Sequence, residues 1–203
     1  MKRESYGRLI MTIGILLMVI AGVVGCSLTT EKIQQEAQKI KKTDVKNENK
    51  DGEIMSKNPL TKETTPEFTK AVEKYYESLA DKTDYIEGYE GIEVYKKEGL
   101  YPDTYLAFVR YGMKIKDIYT VVPGLGTLYV VKDGTSGTYQ IHTEELDDRT
   151  EDYIETVAAH EDVQVMMEES RKEYQKAVQS DALLREALSD LKQAYEGSAD
   201  SLE

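Results

Sequence analysis

Tryptophan is absent from this 203-residue chain, cysteine occurs once, proline four times, and phenylalanine and histidine twice each. A single thiol, Cys26, excludes an intramolecular disulfide. With no Trp and almost no Phe, the aromatic part of any core falls to fifteen tyrosines, whose hydroxyls need a partner or water when buried. Positive charge is also short: 26 Lys and Arg stand against 38 Asp and Glu, a net charge of −12. From Thr65 to Glu203 the imbalance is steeper, thirty acids to fifteen bases. A field of that sign repels nucleic-acid phosphates, so nucleic acid is excluded as a partner. It also repels an anionic membrane or a phosphate-rich wall unless divalent cations screen it.

What is present begins with an address. Lys2, Arg3 and Arg8 precede an uncharged apolar run from Leu9 to Val24, and Val23-Val24-Gly25-Cys26 closes it. A basic start followed by an apolar stretch is an export signal. Its end resembles the lipobox of bacterial lipoproteins, where the cysteine becomes lipidated and N-terminal; that makes Cys26 the lipidation candidate. The competing reading keeps Leu9–Gly25 as a transmembrane helix, since seventeen residues sit at the lower end of the span of about 17–25 that crosses a bilayer. The positive flank then holds the N-terminus inside. Both readings put the remainder at the cell membrane, facing outward. Residues 27–64 mix charges with Asn, Gln and Thr, have few apolar side chains, and read as a disordered polar tether.

The remaining 65–203 suit one domain. Thr65-Pro66-Glu67 opens a helix running to about Ala80, with Phe68, Val72, Tyr75, Tyr76 and Leu79 on one face. The chain then extends through Tyr85-Ile86, breaks at Gly88 and Gly91, and gives a strand near Ile92–Lys96. Thr104–Lys116 alternates: Tyr105, Ala107, Val109, Tyr111, Met113 and Ile115 point one way, and Arg110, Gly112, Lys114 and Lys116 the other. Val122-Pro123-Gly124 reads as a turn before a strand at Thr127–Lys132, which forms a hairpin with Thr138–His142. Three helices follow, at about Asp147–Ala159, across Val163–Val178, and from Asp181, with Leu184, Leu188 and Leu191 striping the last and Gly197 as its stop. The fold class is therefore α+β, a curved antiparallel sheet with helices covering one face.

No catalytic constellation stands out, and no spacing implies a cofactor or a metal. Tyr95, Tyr105, Tyr111, Tyr129 and Tyr139 are the ligand-binding candidates, on the expectation that they share one surface of the sheet and stack on a sugar or peptide. As period-two aromatics they are equally what any half-buried sheet contains. His142 beside Glu144 and Glu145 reads as a surface histidine, and His160 as a loop residue before a helix. Asp117 and Arg110, the charges within the sheet region, read as solvated. Met166-Met167 reads as helix core, without the Cys or His of a soft-metal site.

DYIEGYEGIEVY (Asp84–Tyr95), VPGLGTLYVVKDG (Val122–Gly134) and EDVQVMMEESRKEYQKAVQSD (Glu161–Asp181) together resemble a recurrent extracytoplasmic domain of lipoproteins and membrane-anchored proteins from Gram-positive Clostridia. That domain is similar to the nuclear-transport-factor-2-like, or cystatin-like, cone fold. The resemblance implies a fold and a location and carries over no catalytic residue. The expected function is thus a membrane-anchored extracytoplasmic binding domain, with a protein or cell-wall partner. The alternatives are a small cone-fold enzyme transferring protons in a Tyr-lined pocket, and a structural or sensing partner of another surface protein.

Overall fold

The computed structural model describes residues 57–200, with side chains as far as residue 191. The export segment, Cys26 and residues 27–56 of the expected tether lie outside the described residues. Five antiparallel strands form one curved sheet in the simple order β1-β2-β3-β4-β5: Thr61–Lys62, Ile86–Glu98, Thr104–Ile115, Val122–Lys132 and Tyr139–Ile141. Helix α1 (Pro66–Ala80) lies between β1 and β2; α2 (Asp148–Ala158), α3 (Glu161–Ser180) and α4 (Ala182–Asp200) follow the sheet. The α+β class is as the alternation of periods implied.

Four local readings change. First, β1 lies in the stretch expected to be tether: Thr61 pairs with Lys96 and Lys62 with Tyr95. The backbone ladder holds these polar residues without their needing to bury apolar surface. Second, β2 does not break at its glycines; it runs on through register shifts between Ile86 and Gly88 and between Glu90 and Glu93, with Gly91 at φ 61. Third, Val122-Pro123-Gly124 is strand, and the turn sits before it, where Asp117 adopts φ 63. Pro123 is tolerated because β5 pairs only with Val130–Lys132 and leaves this stretch of β4 on an edge. Gly124 and Gly126 serve packing instead of turning. A Cβ at Gly124 would lie 2.5 Å from ring carbons of Tyr111, its cross-strand partner, and one at Gly126 would strike the Tyr76 hydroxyl. Fourth, α4 continues through Gly197 to Asp200, since an isolated glycine weakens a helix by about 1 kcal/mol without ending it.

Helices cover both faces of the sheet, not one. On the first face, Phe68, Val72 and Tyr76 of α1 pack in one cluster with Ala107, Val109, Tyr111 and Met113 of β3 and Leu128 and Val130 of β4. Tyr174 of α3 and Leu184 and Leu188 of α4 belong to the same cluster, so the C-terminal stripe docks within the chain. On the second face, Leu106 and Phe108 of β3 and Leu125 of β4 meet Val157 of α2 and Val163 and Met166 of α3. Asp147 caps α2 by accepting from the Thr150 amide, and Asp181 caps α4 through the amides of Leu183 and Leu184.

The glycines of β2 and β4 therefore predict opposite outcomes. Gly124→Ala crowds a buried ring and is expected to cost about 1–3 kcal/mol, as overpacking does. Gly88→Ala meets nothing within 4 Å and should leave the melting temperature unchanged. Thermal unfolding of the two variants beside wild type checks both.

Candidate functional site

The bulged half of β2 and the C-terminal half of α1 enclose the groove that forms the candidate site. Its volume is about 390 Å³; Glu73, Glu77 and Asp81 from α1 and Glu87 and Glu90 from β2 line it, with Tyr76, Tyr89 and Ile92 beneath. Helical spacing sets the first three carboxylates on one side: 73, 77 and 81 recur every four residues. Glu87 and Glu90 border the opening from the bulged edge strand, Glu90 with its carboxylate turned to Lys114 on the face away from α1. Lys114 answers two of the five, pairing with Glu90 at 2.7 Å and standing near enough to Glu87 to share its field. Burial, and then the neighbouring Tyr85 and Tyr75, push the Tyr89 hydroxyl up to about 12. The phenol therefore stays protonated at physiological pH. The combination suits a cation: negative charge at the rim and aromatic surface below it.

The five candidate tyrosines do not share a surface. Tyr105 and Tyr139 flank Phe68 on the α1 face, with ring centroids 5.8 and 4.9 Å from it. Tyr111 lies further along the same face, 4.9 Å from Tyr76 and 5.2 Å from Tyr89. Tyr95 and Tyr129 sit on the other face, at the margin of the α2–α3 core. The register explains the split: Tyr95 opposes Phe108 and Tyr129 opposes Leu106, both even-numbered positions of β3, whereas Tyr105 and Tyr111 are odd. Period-two packing accounts for all five.

Other candidates also move. Arg110, partly exposed, also grips both carboxylate oxygens of Glu173 at 2.8 Å and so ties β3 to α3. His160 is not a loose loop residue but the buried N-cap position of α3. His142 is exposed and stands edge-on to Tyr129. Met166 is core. Among the described residues no group of three or more His, Cys, Asp or Glu is arranged to hold a metal ion.

Two ionic nodes were invisible in the sequence. Lys97, buried on the α3 face, donates to the Asn58 carbonyl at 2.8 Å and to Asp162 Oδ2 at 2.8 Å, and contacts His160 Nδ1 at 3.1 Å. Its neighbour Lys96 points to the opposite face, pairs with Glu63 at 2.7 Å, and lies over the rings of Tyr105 and Phe68. Glu63 also accepts from the amides of Thr64 and Thr65 at 2.7 and 2.6 Å, so this carboxylate organises the entry to α1 while the Thr65 side chain makes no cap bond. Lysines in an alternating strand read as solvent-facing, and partners 39 and 65 residues away leave no local signal.

No protein-family model, curated protein or solved structure matches this chain.

Glu63 sets an acid limit on stability. Burial acts to raise its carboxyl, but the hydrogen bonds from Lys96, Thr65 and Thr64 outweigh it and bring the value from 4.5 down to about 2. The stabilisation is complete above the unfolded value near 4.5 and is lost as pH falls toward 2. At about 1.4 kcal/mol per unit it amounts to roughly 3 kcal/mol. Urea unfolding between those limits should show that loss, and Glu63→Gln should flatten the profile while lowering stability at neutral pH.

Proposed function

We propose that this chain is a binding domain held on the outer face of the cell membrane by its N-terminus, and that the groove between α1 and β2 takes cationic ligands such as basic peptides or polyamines. The observation that carries the reading is where the groove lies. Asn58 exchanges two hydrogen bonds with Glu98 at the far end of β2, 2.9 and 2.8 Å, so the N-terminal segment joins the domain there. The groove occupies Glu87–Ile92 of the same strand, about 20–35 Å away at ~3.3 Å per residue. A domain anchored through residues 1–56 thus presents the groove away from the membrane. The export signature supports the anchor, and the likeness to extracytoplasmic clostridial domains agrees with it.

The packing of the phenols favours binding over proton transfer. Tyr76 and Tyr111 are buried against each other and against aliphatic side chains, so a base has little access to them. A second reading, a docking partner of another surface protein, has one observation in its favour. Tyr119 is fully exposed, and the Thr120–Asp181 bond of 2.6 Å sets its loop beside α4, where Leu183 is 64% exposed.

Anchoring is tested by mass spectrometry of membrane-extracted protein. Wild type is expected to begin at a lipidated Cys26, and Cys26→Ser to accumulate as an uncleaved precursor. An intact Met1 in wild type assigns the anchor to a retained helix instead.

Ligand binding is tested with oligolysine on the full chain in detergent. Binding should weaken with salt, as exposed charge interactions do. Glu73→Gln with Glu77→Gln removes two exposed carboxylates that line the groove and should weaken binding by about tenfold or more. Glu144→Gln with Glu145→Gln removes charge elsewhere and should change binding little. Equal affinity in the Glu73→Gln, Glu77→Gln variant and wild type overturns the groove assignment.

A further inference from the structure

We propose that a basic peptide binds in extended form, as an added strand on the open edge of β2, with a cationic side chain in the groove beside it. The inference rests on the cation-binding reading above and narrows it from charge to shape. β2 runs from Ile86 to Glu98, yet its outer edge is paired only at Tyr95 and Lys96, where β1 lies. One more bond, from the Glu63 amide to the Val94 carbonyl at 2.8 Å, ends that contact, and the chain then turns away into α1. From Glu93 back to Ile86 no strand lies beside the edge among the described residues.

Backbone orientation fixes what that edge offers. In an antiparallel pair, opposed residues alternate between those that exchange hydrogen bonds and those that turn their groups outward. Val94 opposes Val109 and gives its carbonyl to Glu63, so it is turned outward. Tyr89 opposes Met113, an even number of positions further along a β3 that pairs with β4 without a register shift. An even step preserves the orientation, and Tyr89 therefore also turns its N–H and C=O outward. Among the described residues no other backbone or side chain bonds to either group. Both open on the groove that Gly88, Tyr89 and Glu90 line. A strand laid there exchanges two hydrogen bonds with Tyr89 through one residue of its own, and the register shifts on either side of Gly88–Glu90 keep the match short.

The ligand residue opposite Tyr89 sends its side chain to the face that Tyr89 occupies, because cross-strand partners project together. That is the α1 face: Tyr89 packs on Tyr76 with ring centroids 4.9 Å apart, and Glu73, Glu77 and Asp81 line the same groove. A Lys or Arg at this position meets those carboxylates, while its neighbours along the peptide point toward the face where Glu90 pairs with Lys114. Main-chain bonds thus supply affinity and one alternate side chain supplies selectivity, as in other cases of strand addition. Charge also decides against a second copy of this chain, the usual hazard of an open edge. Edge-to-edge pairing would bring Glu87 and Glu90 of two molecules together, each molecule carrying a net charge of −12. A polyamine satisfies the charge but has no carbonyl to accept from the Tyr89 amide.

Titration of the full chain in detergent with a short oligolysine, its backbone N-methylated counterpart and spermine separates these cases. N-methylation keeps the charge and removes the amide donors, and should weaken binding by about tenfold. Amide hydrogen exchange reads the reciprocal bond: saturating oligolysine should slow exchange at Tyr89 by about tenfold, and saturating spermine should not. Equal affinity for the methylated peptide, or unchanged Tyr89 exchange under saturating oligolysine, overturns strand addition while leaving the groove as a site for cations. Failure of oligolysine and spermine alike to bind overturns the groove reading itself and the added strand with it. Self-association that protects Tyr89 without any peptide gives the edge to a second copy and also overturns the proposal.

Discussion

The burial of β3 on both faces is the constraint from which the architecture follows. Leu106 and Phe108 on one side and Ala107 and Val109 on the other are shielded almost completely. A sheet whose central strand is apolar on alternate residues of both parities cannot leave either face to water. Helices must lie on both: α1, between β1 and β2 in the chain, covers one face, and α2 and α3, after the sheet, cover the other. Only toward Arg110–Lys114 does the second face turn polar. There α3 is held by Glu173 on Arg110 instead of by apolar contact.

Charge then fastens the layers at their edges. Lys96 and Lys97 are neighbours in β2 and so project to opposite faces. Each grips a carboxylate where a helix begins: Glu63 just before α1, and Asp162 in the first turn of α3. Buried ion pairs contribute little net stability compared with apolar replacements, yet losing one partner is expensive because a bare charge remains. Their effect here is positional, fixing how each helix enters its layer. The same logic makes the Glu63 pair sensitive to strong acid.

How much of this was legible depended on whether the signal was local. The stripes Phe68–Val72–Tyr76 and Leu184–Leu188–Leu191 are helical repeats read directly from spacing, and the caps Asp147 and Asp181 are single-residue signals. Tyr105 to Ile115 alternated correctly, but the same rule was silent about Leu106 and Phe108, because alternation cannot report a partner that buries the second face. Val122-Pro123-Gly124 carried turn composition for a reason visible only across strands, since Gly124 and Gly126 make room for Tyr111 and Tyr76. The five tyrosines were separated by register, which is set by how β2, β4 and β5 pair and is not written in any one strand. Lys97 was out of reach for the same reason: its burial is decided by Asn58, His160 and Asp162, none of them near in sequence.

The acidic groove has a plainer explanation that must be weighed. β1 covers β2 only at Tyr95 and Lys96, so the outer edge from Ile86 to Glu93 is open to pairing with another chain. Charged residues and bulges are how natural sheets protect such edges. Glu87, Glu90 and the glycine bulges fit that role without any ligand. Edge protection does not extend to α1, however: Glu73 and Glu77, and Asp81 at its C-cap, lie off the strand yet line the same opening. A helix that needed only solubility could alternate signs along its exposed side; Lys70 and Lys74 show that this one carries bases as well. Those bases do not line the groove, and the acids do. The three carboxylates on the helix side of that concavity are what edge protection leaves over, and electrostatic focusing in such a cleft favours a cation there.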